Sequence, residues 1–350
     1  MSTLLGARFR GNDERISFKV RQRNATFARP IDRPAMTPLS KTEVLCVGEV
    51  LWDALPEGLF LGGAPFNVAC HLRATGAPVA MVSRIGSDRL GDEVLRRAAR
   101  YGVTTDLIQV DRELATGFVR VAIDPSGNPN YEILAPAAWD SIATDDELLR
   151  RAANARAIVF GTLAQRDATS RATIRRLWET DALIVYDINL RAPFDDRDIV
   201  GESLRRADVV KLSAEELERV AEWFQLRGDF EATMRALATE FACDVVCVTR
   251  GSDGAALRPG VAFTEHPGYV VEVKDTVGAG DAFLAVLLAG LFSGASDAAL
   301  LQHANLIGAY VTTQYGAVPA DQGTAMSLPV APAPPPKPPK AKQKPRRARR

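Results

Sequence analysis

Short apolar runs rich in Val, Ile and Leu recur along the chain at "VLCVGEV" (44–50), "PVAMVSRIG" (78–86), "AIVFG" (157–161), "LIVYDINL" (183–190), "ADVVKLS" (207–213) and "DVVCVTRG" (244–251). Between them, apolar residues return at helical spacing over Leu90–Tyr101, Ala168–Glu179, Ala214–Phe224 and Phe230–Phe241. A strand wet on one side would alternate polar and apolar residues. These runs are continuous, so each strand needs cover on both faces. Continuous strands alternating with amphipathic helices predict a parallel sheet between two helical layers, an α/β fold.

Two segments break the alternation. "LWDALPEGLFLGG" (51–63) carries Pro56 and several glycines, and "LIQVDRELATGFVRVAIDPSGNPNYEIL" (107–134) has period-two character around a turn at "DPSGNP". Together they predict a small β-sheet, drawn from about 51–63 and 107–135 and inserted into the α/β unit. A sheet too small to bury its own faces must lie over something, and a lid over a cleft is the natural use. Residues 41–324 show no internal repeat, heptad pattern or linker, so they read as one domain.

The composition, with 47% apolar and 25% charged residues in 350, is that of an ordinary globular protein. No apolar run reaches the roughly 18 residues of a membrane span, so no membrane insertion is expected. The zero net charge conceals an asymmetry. Residues 1–40 hold eight Lys/Arg against three Asp/Glu, residues 325–350 hold eight Lys/Arg and no acid, and 41–324 carry the compensating −13. Residues 1–40 lack the apolar core of a secretory signal and read as a disordered extension. The Pro/Lys/Arg-rich stretch 325–350 reads as a disordered, solvated tail, with non-specific contact to nucleic acid or an anionic surface as its alternative use. Cys46, Cys70, Cys243 and Cys247 show no C-x-x-C spacing, and His71, His266 and His303 add no zinc pattern. Buried thiols in a reducing, cytoplasmic compartment are expected.

The chemistry concentrates in "VKDTVGAGDAFLAVLLAGLF" (273–292). Gly278, Ala279 and Gly280 are small enough for backbone to approach a ligand, and they run into an apolar helix whose first N–H groups lack partners. That start suits a phosphate or a developing oxyanion. Asp281 has two readings there. It is a first-turn acid helped by the helix dipole, or a base that takes a proton from a hydroxyl as the oxygen attacks phosphorus. Local physics leaves both open.

"DTVGAGDAF" (275–283) resembles the C-terminal signature of the ribokinase-like (PfkB) carbohydrate kinases, and "GGAPFNVA" (62–69) resembles the N-terminal Gly-Gly signature of that family's fructokinase branch. Order and spacing agree across about 41–322. The resemblance implies a ribokinase-like three-layer α/β/α core with a small β-sheet lid, and an ATP-dependent transfer of phosphate to a sugar, fructose before ribose, 2-keto-3-deoxygluconate, a nucleoside or a sugar phosphate. It implies Asp281 as catalytic base, with backbone N–H groups of Gly278, Ala279 and Gly280 as the anion hole. Asp53, Gly62, Gly63 and Asn67 would then hold the sugar. A binding protein on a kinase scaffold is the rival from another class, and it would be expected to have lost Asp281, Gly278 or Gly280.

Further motifs extend the resemblance. "YDINLR" is similar to the family's D-x-N-x-R, which implies that Asn189 and Arg191 reach into the site with Asp187 ordering them. "KLSAEELE" is similar to N-x-x-E, with Ser213 where Asn is usual. It implies Lys211, Ser213 and Glu216 at the nucleotide, with Glu216 serving Mg²⁺ through water. A plain capping box by Ser213 and Glu216 is the competing reading. "VTRGSDGA" (248–255) implies Thr249, Gly251 and Gly254 along the phosphates and ribose. Asn305 matches a position near adenine or is a helix-surface amide. Asp275 with "QYGAVP" (314–319) matches the place of a monovalent cation, K⁺. The family's lid sheet also makes a homodimer contact an option. No P-loop and no dinucleotide fingerprint is present, so ATP must be held in another way.

Overall fold

The computed structural model describes residues 43–55, 58–123 and 129–319. The expected extensions 1–40 and 325–350, and most of the "DPSGNP" turn, lie outside the described residues. In chain order the strands are β1 (Val44–Val47), β2 (Leu51–Leu55), β3 (Gly58–Gly62), β4 (Val79–Gly86), β5 (Ile108–Asp111), β6 (Gly117–Ile123), β7 (Pro129–Ile133), β8 (Ala157–Gly161), β9 (Leu183–Asp187), β10 (Val209–Ser213), β11 (Val245–Thr249), β12 (Ala255–Pro259) and β13 (Thr264–His266). The α-helices are α1 (Ala64–Ala74), α2 (Arg89–Arg100), α3 (Asp146–Ala153), α4 (Ala168–Leu177), α5 (Arg197–Leu204), α6 (Ala214–Phe224), α7 (Phe230–Phe241), α8 (Ala279–Ser293) and α9 (Asp297–Thr312).

The large sheet has the order β13-β12-β11-β10-β9-β8-β1-β4-β5. From β11 to β5 every pairing is parallel, while β12 and β13 run antiparallel at one edge. Alternate residues of the continuous apolar strands feed two separate cores. Val44, Cys46, Val159 and Val185 face the layer of α1, α8 and α9, and Leu45, Val47, Phe160 and Tyr186 face the opposite layer. The three-layer α/β/α reading therefore holds. All four cysteines are buried free thiols, and among the described residues no helix is long and apolar enough to cross a membrane.

A second sheet, β3-β2-β6-β7, is the small inserted one. Its expected start near 107 needs correction, because Ile108–Asp111 pairs with β4 and closes the edge of the large sheet. Period two describes an edge strand of the large sheet as well as a hairpin, so pattern alone could not divide this segment. β12 and β13 were not expected either. They are short, and Pro259 and the polar "TEH" give them no continuous apolar run.

Among the described residues, seven α-helices start on an Asp or Ser whose side chain accepts a backbone N–H: Asp88, Asp145, Asp167, Asp196, Ser213, Asp229 and Ser296. Such caps satisfy the orphan donors of the first turn. The exceptions are α1 and α8, which begin at Gly63 and Gly278 with no side-chain cap.

Phe160 tests the core opposite α1 and α8. It is 1% exposed, stacked on Tyr186 at 5.0 Å and tilted against Trp178 at 5.6 Å. Phe160→Ala is expected to lower the unfolding free energy by about 3–5 kcal/mol, read as a shift in urea midpoint with unchanged slope. A loss under 1 kcal/mol would show that this layer repacks freely.

Candidate active site

The uncapped starts of α1 and α8 meet beside the carboxyl ends of the parallel strands, where open α/β sheets bind ligands. Gly278 has φ 78°, and a Cβ there would fall 2.5 Å from the Cα of Ala317, so glycine alone fits. At Gly63 (φ 109°) a Cβ would strike the backbone carbonyl of Glu49. The helical ladder of α8 begins with Ala282 N–H donating to Gly278 O at 2.9 Å, so the N–H groups of Ala279–Asp281 precede it.

Asp281, in the first turn of α8, is 9% exposed. It caps nothing. Its Oδ2 accepts a 2.8 Å hydrogen bond from Nδ2 of Asn67, itself 3% exposed on α1. Asn67 thus joins the two signature segments across 214 residues. Asp53 stands on β2 of the small sheet, with Oδ2 2.7 Å from where a Gly62 Cβ would be, so Gly62 makes room for a carboxylate. Burial pushes Asp53 up to about 6, against the pull of Arg191 and with help from Asp275.

Sequence reasoning overlooked Glu49. It is 2% exposed, and its Oε2 has no hydrogen-bond partner among the described residues. Burial pushes it up to about 7. Backbone N–H groups of Glu49 and Ala64 and the charge of Arg191 oppose the shift, and Asp281 adds to it. A lone acid ending the apolar "VLCVGEV" was the available signal. His71, on α1, meets the Ala317 carbonyl at 2.9 Å through Nε2, so this nitrogen carries the proton. Burial lowers its basicity.

Beneath α8, Lys211 is 6% exposed and its Nζ donates to both oxygens of Asp187 at 3.1 Å. Nζ also lies 2.9 Å from where a Gly280 Cβ would stand. Burial works against the ammonium, but Asp187, Asp281 and Glu216 outweigh it and hold it charged. Asp187 therefore pairs with Lys211 and not with Asn189 or Arg191. Asn189 takes φ 41°, and Arg191 is exposed with Nη1 donating to Leu190 O at 2.8 Å. The charge of Arg191 pulls both Glu49 and Asp53 down, against the effect of burial.

Ser213 and Glu216 form the capping box of α6. Glu216 Oε2 accepts from Ser213 N at 2.7 Å and Oε1 from Leu190 N at 2.6 Å. Each oxygen keeps one lone pair free for a water or a cation. The Asp275 carboxylate accepts from Val277 N and Gly316 N, both at 3.0 Å, and so ties the loop before α8 to the 314–319 segment. Among the described residues no cluster of three His, Cys, Asp or Glu is arranged for a metal.

A cavity of ≈ 640 Å³ opens on the other side of the α8 start. Thr249, Gly251, Gly254, Ala279, Gly280 and Asn305 line it. Asn305 is 8% exposed, with Nδ2 donating to Leu301 O at 2.7 Å, so it is not a surface amide. Sequence reasoning missed Tyr269, Phe283, Gly308 and Thr312 in the same wall. A glycine inside a helix, Gly308, was the one available hint. The cavity is large enough for a nucleotide, and the small residues of its floor bring ligand against backbone.

A family model for pfkB family carbohydrate kinases matches residues 44–322. A fructokinase of Klebsiella pneumoniae is 31% identical over 299 residues, covering 79% of this chain and 95% of that protein. A putative sugar kinase of Pyrococcus horikoshii is 27% identical over 268 residues, 73% of this chain and 82% of its own. The crystal structure of a fructokinase with bound ATP from Xylella fastidiosa superposes with a TM-score of 0.69 at 28% identity, covering 82% of this chain and 95% of that one.

Glu49 gives the site a pH signature. Between its ordinary value of 4.5 and about 7, the folded state holds a proton that the unfolded state has lost, so the stability it contributes is complete below 4.5 and gone above about 7. Over that window the change is about 3 kcal/mol at 1.36 kcal/mol per pH unit. Glu49→Gln, which cannot ionise, should gain in melting temperature over wild type on going from pH 5 to pH 8. An equal difference at both pH values would mean that Glu49 does not titrate there.

Proposed function

The chain belongs to the pfkB family of carbohydrate kinases, and on that premise we propose that it transfers the γ-phosphoryl group of ATP to a hydroxymethyl oxygen of fructose, with Asp281 as general base. One observation carries the reading. Gly280 lines the nucleotide-sized cavity, and the next residue, Asp281, turns its carboxylate the other way, onto Asn67 beside Gly62 and Asp53. A base between a phosphate pocket and a hydroxyl-binding pocket is what in-line phosphoryl transfer requires.

In this mechanism Asp53, Asn67 and the backbone at Gly62 and Gly63 hold the sugar, and Arg191 swings in to donate to a substrate or phosphate oxygen. Asn67 keeps one carboxylate oxygen of Asp281 occupied. The other takes the hydroxymethyl proton as that oxygen bonds to phosphorus and the bond to ADP breaks. Charge on the transferring group falls to the N–H groups of Gly278–Gly280, backed by the Lys211 ammonium below Gly280. Thr249, Gly251, Gly254 and Asn305 hold the nucleotide. Mg²⁺ travelling with ATP supplies charge neutralisation on its phosphates, and Glu216 and Ser213 would reach it through water. K⁺ is the monovalent ion we assign to the Asp275 loop. The small sheet excludes water, and the four buried thiols suit a cytoplasmic enzyme. A homodimer through the outer face of the small sheet completes the proposal.

ATP turnover against free and phosphorylated sugars, nucleosides and 2-keto-3-deoxygluconate, with Mg²⁺ and with or without K⁺, tests the substrate. Fructose should give the strongest response, and silence with fructose beside a strong response to another acceptor would move the assignment. The base is tested by Asp281→Asn, expected to leave melting and ATP affinity unchanged while kcat falls by about 10²–10⁴. Retention of a tenth of wild-type kcat would remove Asp281 from that role.

A further inference from the structure

Arg166 has a side chain only 5% exposed, at a point where three segments meet. Its Nε donates to Asp140 Oδ1 at 2.7 Å, and its Nη2 to Asp140 Oδ2 at 2.8 Å and to the Leu134 carbonyl at 2.7 Å. The guanidinium lies between two rings, with Cζ 3.9 Å from the Trp139 centroid and 4.7 Å from that of Phe194. Its Nη1 has no partner among the described residues, so stacking, as well as hydrogen bonding, keeps it there.

Each neighbour belongs to a part that matters. Leu134 follows β7, and Gly117 starts β6; these are the two feet of the β6–β7 hairpin. Leu134 hangs from Arg166, and Gly117 rests on Trp139, whose Nε1 lies 2.5 Å from where a Cβ would be. Asp140 also accepts from Ala137 N at 2.8 Å, which fixes the chain between Leu134 and Trp139. Phe194 belongs to the loop of Asn189 and Arg191, its N–H donating to Arg191 O at 2.7 Å. The strand β2, which carries Asp53, pairs with β6. A buried ion pair is seldom the cheapest route to stability, so its place between a hairpin and a loop calls for a reason other than stability.

We propose that Arg166 is a positioning residue that clamps both feet of the β6–β7 hairpin to the Phe194 loop, so that the sheet carrying Asp53 and the loop carrying Arg191 close over the sugar as one body. The inference rests on the kinase reading. With the clamp loosened, the sheet no longer keeps water from the γ-phosphoryl group. A water oxygen then bonds to phosphorus in place of the sugar oxygen, the bond to ADP breaks, the water proton passes to Asp281, and inorganic phosphate leaves.

The test counts ADP, sugar phosphate and inorganic phosphate together, using the acceptor sugar that wild type prefers. Wild type should form one sugar phosphate per ADP. Arg166→Lys keeps a charge for Asp140 but loses the planar contact with both rings. It should produce ADP and inorganic phosphate in excess of sugar phosphate and raise the sugar KM, with ATP KM unchanged. Its kcat/KM for the sugar should fall by about 10²-fold, the cost of a displacement near 1 Å. Phe194→Leu leaves the Arg166–Asp140 pair in place and should uncouple in the same direction, and it carries the test if Arg166→Lys does not fold. A general loss of structure would raise ATP KM as well and would not favour water over sugar. One-to-one stoichiometry with wild-type sugar KM in the folded variants overturns the clamp alone. A wild type that phosphorylates no sugar overturns the kinase reading and the clamp with it.

Discussion

The hydrogen bond from Asn67 to Asp281 organises this molecule. It runs between the first turns of α1 and α8, the two helices whose starts carry no side-chain cap. Elsewhere an Asp or Ser caps the first turn; here glycine stands at the cap position, so no side chain covers the start. The glycines are also steric requirements, since Ala317 backbone crowds Gly278 and the Glu49 carbonyl crowds Gly63. Moving either helix start would break the contact that aims the carboxylate. The rest of the fold serves to hold two helix ends in register.

That arrangement has an electrostatic cost. Glu49, Asp187 and Asp281 are all at most 9% exposed, and Lys211 is the buried cation in their midst. Burying carboxylates opposes their ionisation; burial pushes Glu49 up to about 7, and the charge of Asp281 adds a smaller push. Lys211 offsets part of the cost and sits under the backbone of Gly280, so one ammonium supports both the fold and the start of α8. The buried acids are better explained by phosphoryl-transfer chemistry than by stability, as strained and charged sites commonly are.

The core layers were legible because burial writes itself into pattern: "AIVFG" and "VLCV" are strands and Ala214–Phe224 and Phe230–Phe241 are helices at their predicted positions. Glycine-rich turns leading into helices were legible for the same local reason. What escaped depends on contacts between distant residues. Ile108–Asp111 joins the large sheet because β4 offers it an edge. Lys211 finds Asp187 across neighbouring strands, and Arg166 finds Leu134, Asp140 and Phe194 from three separate segments. Asn305 carried both a nucleotide-site and a surface-amide reading, and its burial beside the cavity separates the two. No window of sequence contains these partners, and only the fold brings them together.

The most direct measurement is a crystal structure with fructose and a non-hydrolysable ATP analogue bound together. The account predicts an Asp281 carboxylate oxygen within about 2.6–3.2 Å of the hydroxymethyl oxygen, Asn67 still on its other oxygen, and the γ-phosphoryl group against the N–H groups of Gly278–Gly280. A hydroxymethyl group turned away from Asp281, or a γ-phosphoryl group held away from the start of α8, would contradict it.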